Sequence, residues 1–113
     1  MQAQIDLEQH QWRERILLFF IPANEVATWE AQQQILAVDN QGLQERDLIF
    51  YKIENDSALQ QNYAISNDRF TAILIGKDGG EKLRQHEPLT LKKLYSTIDV
   101  MPMRRSEIRK RRQ

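Results

Sequence analysis

Apolar and polar positions follow two different spacings along the chain, which predicts a mixture of strands and helices. Short apolar runs rich in β-branched and aromatic residues predict strands over residues 15–21, 46–53 and 70–75, and alternation over 81–84 predicts a short fourth strand. The first run is apolar from Ile16 onwards. We therefore expect this strand to be buried on both faces at the centre of a sheet and to end at Pro22.

Helical spacing of apolar residues predicts helices over residues 25–38 and 91–101, with shorter helices over 6–12 and 57–63. Each begins with a residue that can cap it: Asp6, Asn24, Asp56 and Thr90. The predicted apolar stripe of helix 25–38 consists of Ala27, Ala31, Ile35 and Val38, and that of helix 91–101 of Leu91, Leu94, Tyr95, Ile98 and Met101.

The predicted order of elements is α-β-α-β-α-β-β-α. The first two strand–helix–strand steps favour parallel pairing, whereas the last two strands must form an antiparallel hairpin. Gly42 is expected in a left-handed conformation after helix 25–38, and Pro102 is expected to end or kink the last helix. This order is typical of a thioredoxin-like domain, so we predict a single α/β domain with a central mixed four-stranded sheet flanked by helices.

The segment GKDGG, residues 76–80, joins the last two predicted strands. A phosphate-binding P-loop needs four residues between its first glycine and a Gly-Lys-Ser/Thr that opens a helix, and no hydroxyl follows Lys77. Asp78 and Gly79 tolerate the positive φ of a tight turn, and the residues that follow alternate as in a strand. We interpret the segment as a hairpin turn and not as a phosphate site.

The composition fits one soluble globular domain. The chain has 113 residues, of which 41% are hydrophobic and 28% are charged. Its longest apolar run is far shorter than the ~20 residues that span a bilayer, so no membrane span is predicted. No signal peptide is visible in the polar start of the sequence, and the compartment stays open.

Cysteine is absent from the chain. Its absence excludes disulfides, thiol redox chemistry, a cysteine nucleophile and zinc sites with cysteine ligands.

Charge is unevenly placed, although the net charge is zero. Residues 104–113 hold six basic groups and one acidic group, a net of +5, so the remainder sums to −5. We therefore predict a domain over residues 1–103 and a basic C-terminal tail over 104–113. Such a tail suits contact with nucleic acid or an anionic surface. It has no aromatic residue to stack on bases, and a solvated, partly helical end is favoured.

Three motifs together resemble the domain-of-unknown-function 4174 family. They are ERDL at residues 45–48, LIGKDGG at 74–80 with Lys82, and IDVMPMRR at 98–105. Trp12 followed by RILL at 15–18 resembles the family's opening, and the resemblance extends from about residue 7 to residue 109. It implies a thioredoxin-like fold related to peroxiredoxins, found in bacterial proteins and in vertebrate extracellular-matrix proteins that carry sushi repeats. It implies no established reaction and therefore no catalytic residues. Arg104 and Arg105 belong to the last motif, and an alternative is that they pair with acids on the body.

A thioredoxin-like fold has its redox centre at known places, and this sequence does not fill them. Ungapped alignment with thioredoxin's first active-site strand puts the two active cysteines at Glu25 and Thr28, the buried acid at Phe19 and the cis-proline near Thr71. Because thiolate chemistry requires sulfur, we predict no thiol oxidoreductase or peroxidase activity.

Other polar residues give weaker indications. His10 and His86 lie in polar surroundings, and both are interpreted as exposed histidines rather than as metal ligands or general bases. Asp47, Asp78 and Asp99 are candidates to converge at one end of the sheet, but helix caps and surface ion pairs are favoured.

We interpret the chain as a redox-inactive, non-enzymatic interaction or structural module with a protein partner, which includes a homodimer. One alternative is a small-ligand binder or enzyme that uses polar groups near Asn24, Glu25 and Thr28, and this requires a concave pocket there. Another is contact of Arg104, Arg105 and the rest of the tail with nucleic acid or an anionic surface. No catalytic residue, metal ligand or cofactor is predicted.

Overall fold

A four-stranded sheet forms the centre of the computed structural model, which describes residues 6–112. The strands are β1 (Arg15–Phe20), β2 (Leu48–Ile53), β3 (Thr71–Ile75) and β4 (Glu81–Gln85), and their spatial order is β2-β1-β3-β4. β1 pairs in parallel with β2 and antiparallel with β3, which pairs antiparallel with β4. This is the mixed sheet that the sequence predicted. Residues 1–5 and 113 of the predicted domain and tail lie outside the described residues.

Five helices accompany the sheet in residues 6–112: α1 (Val26–Ala37), α2 (Asn40–Glu45), α3 (Ser57–Asn62), α4 (Leu91–Ile98) and α5 (Pro102–Arg112). Short 3-10 turns cover Glu8–His10 and Ala23–Glu25. The predicted caps Asp56 and Thr90 are confirmed, because each side chain accepts a backbone N–H three residues on at 3.1 Å. The Asn24 cap is wrong, because Asn24 lies inside the second 3-10 turn and α1 begins after Glu25 without a side-chain cap.

Strand β1 is buried along its whole length, as predicted. Leu17 and Phe19 pack on one face against Trp29 of α1 and Leu94 of α4. Alternate residues of β1 face the opposite cluster, beneath α3. Full burial of one such side chain contributes about 1.5–3 kcal/mol, so the two clusters stabilise the sheet from both faces.

The predicted apolar stripe of α1 is wrong. The helix buries Trp29, Gln32 and Leu36, whereas Val38 is exposed. The larger side chains of Trp29 and Leu36 decide which face turns inward, because they bury more apolar area than alanines do. Gln32 follows them because its amide donates to the Leu89 carbonyl at 3.0 Å and accepts the Leu89 N–H. The stripe predicted for the last helix is confirmed in its buried members Leu94 and Ile98.

Two backbone predictions are also wrong. Gly42 is helical inside α2 and has no positive φ, because Asp39 caps this additional helix by accepting the Gly42 N–H at 3.0 Å.

The direction of β3 also differs from the prediction. β3 is antiparallel to β1, whereas the sequence favours parallel pairing. The connection over residues 54–70, which contains α3, therefore leaves β2 and enters β3 at the same end of the sheet.

The hairpin turn at residues 76–80 is confirmed. It joins antiparallel β3 and β4, Gly79 has a φ of +87°, and the Gly76 N–H donates to the Gly80 carbonyl at 2.9 Å. Pro102 does not follow the last helix but opens α5, where its missing N–H costs nothing. The charge boundary at residues 103 and 104 therefore falls inside a helix that continues to Arg112.

Candidate functional site

The two positions aligned with redox cysteines contact each other. Glu25 ends the 3-10 turn after β1, and Thr28 lies in the first turn of α1. The Thr28 hydroxyl donates a hydrogen bond to the Glu25 carboxylate, and both residues are half-buried, whereas Asn24 is exposed. The two side chains thus satisfy each other at the start of α1.

A cavity of about 480 Å³ opens beside this pair, at the carboxyl ends of β1 and β2. It is bounded by Pro22, Ala23 and Val26 rather than by Asn24, Glu25 or Thr28. Apolar walls come from Phe20, Ile21, Val26, Trp29 and Ile65. The polar groups around it are Lys52, Glu54, Asn55, Gln60, Ser66 and Asn67. We call this cavity the β1–β2 cleft.

The charged lining of the β1–β2 cleft is internally compensated. Lys52 pairs with Glu54 at 2.7 Å, and the Lys52 ammonium lies 5.8 Å from the centre of the Trp29 ring. Neither histidine of the chain lines the cleft. The Ser66 hydroxyl donates to Asp68 two residues on, as in a local turn contact. The chemistry that remains is recognition by apolar surface and amide groups.

The opposite end of the sheet carries an ion-pair network that joins α5 to the strands. The Glu107 carboxylate of α5 accepts hydrogen bonds from both terminal nitrogens of Arg15, at 3.2 and 3.1 Å. It accepts another from the Lys77 ammonium at 2.7 Å. Lys77 also pairs with Asp47 at 2.8 Å. Arg15 is only 1% exposed, so this pairing compensates a buried charge.

Arg104 belongs to the same network. The residue is 5% exposed, and its side chain donates to the Glu45 carbonyl at 3.0 Å and pairs with Asp99 at 3.3 Å. Asp99 is held further by Arg46, whose guanidinium lies 3.6 Å from the centre of the Tyr95 ring. The alternative that Arg104 pairs with acids of the body therefore holds. Arg105 is exposed on α5. Its contact with an anionic partner stays a prediction.

Burial and neighbouring positive charge act in opposite directions on the pKa values of the carboxyl groups in this network. Partial burial raises the pKa of Glu107, but hydrogen bonds and charge from Arg15 and Lys77 together hold it below its ordinary value. Burial acts on Asp99 in the same way and is outweighed by Arg46 and Arg104, so its pKa is also lowered. Burial and the hydrogen bond to Asp39 raise the pKa of Tyr95 to about 12. The network is thus an ionised structural contact rather than an acid–base pair tuned to neutral pH.

The three aspartates predicted as a possible cluster pair separately. Asp47 binds Lys77, Asp99 binds Arg46 and Arg104, and Asp78 pairs with Lys82 at 2.8 Å. Within residues 6–112, no group of three or more histidine, aspartate or glutamate side chains could hold a metal ion. Ion pairing, the favoured alternative, accounts for all three.

Glu14, His10 and Tyr51 form a hydrogen-bonded row that the sequence does not predict. His10 lies 2.8 Å from Glu14 through Nδ1 and 2.6 Å from the Tyr51 hydroxyl through Nε2. Burial, and then the charges of Glu14 and Asp6, raise the pKa of Tyr51, so its hydroxyl stays protonated at neutral pH. The prediction of an exposed His10 is wrong, because the i, i+4 partner Glu14 and the strand residue Tyr51 enclose it. His86 is exposed, as predicted.

Comparison with known proteins adds a family and a fold. The family model described as "Domain of unknown function (DUF4174)" matches residues 6–107. A search of functionally curated proteins gave no match.

Within the described part of the chain, no helix is both long and apolar enough to cross a membrane.

Solved structures share the fold at low identity. The reduced 2-Cys peroxiredoxin of Plasmodium vivax is 13% identical, with a TM-score of 0.64 over 90% of this chain and 85% of that chain. A malarial protein structure is 15% identical, with a TM-score of 0.60 over 77% and 96%. Thioredoxin-2, a component of the malaria parasite's protein secretion machinery, is 16% identical, with a TM-score of 0.60 over 78% and 84%. At such identities the likeness establishes the thioredoxin-like fold alone.

Proposed function

The chain belongs to the DUF4174 family, and we propose that it is a non-enzymatic, redox-inactive thioredoxin-like module that binds a protein segment in the β1–β2 cleft. The observation that carries the proposal is the position and lining of this cleft. It lies at the end of the sheet where the alignment puts the redox cysteines, and its lining combines apolar walls with side-chain amides.

The cleft has the dimensions and chemistry of a peptide site. About 480 Å³ lies within the range of roughly 300–1,000 Å³ that small binding sites occupy. Asn55, Gln60 and Asn67 carry both donors and acceptors, which suit the backbone amides of an extended segment. Val26 is 57% exposed at the rim and offers apolar contact without rearrangement of the core. An extended segment with a medium-sized apolar side chain fits this arrangement.

Binding is favoured over catalysis because the lining contains no activated nucleophile. Cysteine is absent from the whole chain, and the cleft has no histidine to act as a general base. Thr28 and Glu25, the two positions aligned with redox cysteines, hydrogen-bond to each other. A small ligand in the same cleft is the alternative, and the experiment below separates the two.

Selection from a random peptide library on the immobilised domain tests the proposal. We expect enriched peptides to bind the natural chain and to lose at least about tenfold in affinity with Val26→Asp, because a carboxylate at the apolar rim must be desolvated. Val38→Asp is the matched control, since Val38 is 78% exposed at the other end of α1 and outside the cleft. Circular dichroism checks that both variants fold.

Two results would contradict the proposal. One is the absence of any peptide enriched over a blank surface. The other is a set of enriched peptides that bind the Val26 variant as tightly as the Val38 variant. A compound library that yields binders sensitive only to Val26→Asp, together with an empty peptide selection, would favour the small-ligand alternative.

A further inference from the structure

The two edges of the sheet differ in how they are protected. β4 carries the charged side chains Glu81, Lys82 and Arg84, and its pairing with β3 is interrupted by a register shift. These are the features by which natural sheets prevent edge-to-edge pairing. β2 has the sequence LIFYKI and pairs with β1 in an unbroken register. Its single charge, Lys52, is neutralised by Glu54 at 2.7 Å.

The outward backbone groups of β2 can be assigned from its ladder. Arg15 donates its N–H to the Asp47 carbonyl at 2.8 Å, and Ile21 donates to the Ile53 carbonyl at 3.2 Å. Residues of the same parity in a parallel strand face the same neighbour, so odd-numbered residues of β2 bond to β1. The N–H and C=O groups of Leu48, Phe50 and Lys52 therefore point away from the sheet.

Phe50 marks the middle of this edge. The residue is 48% exposed, although its ring centre lies 6.1 Å from that of Phe19 and 6.4 Å from that of Trp29. The buried aromatic cluster thus continues to the surface at the edge strand and stops there. An aromatic cross-strand neighbour would complete it.

We propose that this edge pairs with β2 of a second copy of the chain, antiparallel about a two-fold axis at Phe50, to form a continuous eight-stranded sheet. Phe50 then faces Phe50 of the second copy as a hydrogen-bonded pair, with Leu48 facing Lys52 on either side. On the other face, Ile49 lies beside Tyr51 of the second copy. The match is self-complementary, because every outward N–H and C=O of β2 finds a partner and no charge faces its like.

Neighbouring registers are less favourable. An axis at Lys52 would set two ammonium groups against each other, which is destabilising. An axis at Leu48 would leave the outward groups of Lys52 beyond the partner strand. Among the registers centred on an outward-facing residue of β2, the one at Phe50 is therefore favoured. This inference does not rest on the β1–β2 cleft, since Phe50 does not line it.

Analytical ultracentrifugation of three chains tests the assembly. The natural chain is expected to approach twice its monomer mass as the concentration rises from micromolar to millimolar. Phe50→Lys is expected to stay monomeric, because it sets two lysines face to face. Lys82→Glu on the β4 edge is the control and is expected to associate like the natural chain. Phe50→Thr keeps a strand-forming residue should Phe50→Lys fail to fold, and it is expected to weaken association at least about tenfold.

Amide exchange tests the register by parity. The N–H groups of Leu48, Phe50 and Lys52 are expected to exchange at least about tenfold more slowly at millimolar than at micromolar concentration. The amides of Ile49 and Tyr51, already bonded to β1, are expected to change little. A natural chain that stays monomeric at millimolar concentration overturns the proposal. Association of the Phe50 variants as strong as that of the natural chain overturns it as well. So does exchange of the even-numbered amides of β2 that does not slow at millimolar concentration.

Discussion

Arg15 and Glu107 stand 92 positions apart in the sequence and meet through two parallel hydrogen bonds of 3.2 and 3.1 Å. Arg15 begins the central strand, and Glu107 lies in the middle of α5. Bidentate pairing fixes the orientation of both groups, so this contact sets how the last helix lies against the sheet.

Replacement of Glu107 by glutamine is expected to lower the free energy of unfolding by about 3 kcal/mol, because it leaves the buried Arg15 without a counter-charge. Glu81→Gln is the matched control: it removes an equally direct pair with Arg84, but one at the surface. Exposed pairs contribute about 0–1 kcal/mol, so the control should unfold almost like the natural chain. Urea unfolding measures both. Equal midpoints for the two variants would show that Glu107 is dispensable.

Acid should weaken the domain through the same network. The pKa values of Asp99 and Glu107 lie below their ordinary values of 3.8 and 4.5 in the folded chain. The unfolded chain therefore binds more protons in this window. The stabilisation is complete above the ordinary values and is lost as the pH falls through the folded-state pKa values. Urea midpoints between pH 7 and pH 3 should decline, and Glu107→Gln should flatten the decline. A variant that declines as steeply as the natural chain would count against this assignment.

Phosphate should not bind at the hairpin turn. The Gly80 N–H donates to Asp78 at 2.9 Å, Lys82 pairs with Asp78, and Lys77 is held by two carboxylates. The Gly80 amide and the two lysine ammonium groups are thus already bound by carboxylates of the protein. We expect inorganic phosphate and ATP to leave the amide NMR signals of residues 76–80 in place. Saturable shifts there at sub-millimolar ligand would contradict the interpretation.

The natural chain should neither reduce insulin nor turn over peroxide, because thiolate chemistry needs sulfur. The double variant Glu25→Cys, Thr28→Cys tests whether the alignment located the redox positions. These two side chains already touch, so the new cysteines should close an intramolecular disulfide, detectable by mass spectrometry and thiol titration. The control Glu25→Cys, Val38→Cys should keep its thiols. Activity of the natural chain above a blank, or free thiols in the double variant, would be the contrary result.

The elements that could be predicted are those specified by local chemistry. Asp56 and Thr90 cap the helices that they precede, Gly79 supplies the positive φ of its turn, and the apolar run of β1 is central. The face of α1 could not be predicted from period alone. Trp29 and Gln32 turn inward because of what the sheet and the Leu89 backbone offer them.

Long-range pairing explains the other misses. The sequence near His10 does not indicate that Tyr51 is its partner, and the sequence near Arg104 does not indicate contact with the Glu45 carbonyl. The three motifs that carried the family resemblance do meet around the network, through Arg46, Lys77 and Arg104. They look like a surface feature in the sequence and a half-buried structural contact in the fold.

The most direct test of a binding role at the β1–β2 cleft is the map of amide NMR shifts caused by a library-selected peptide. Binding in the cleft predicts saturable shifts at Val26, Lys52, Asn55 and Asn67, with Arg104 and Glu107 at the other end of the sheet unchanged. Shifts centred on α5, or spread evenly without saturation, would contradict it.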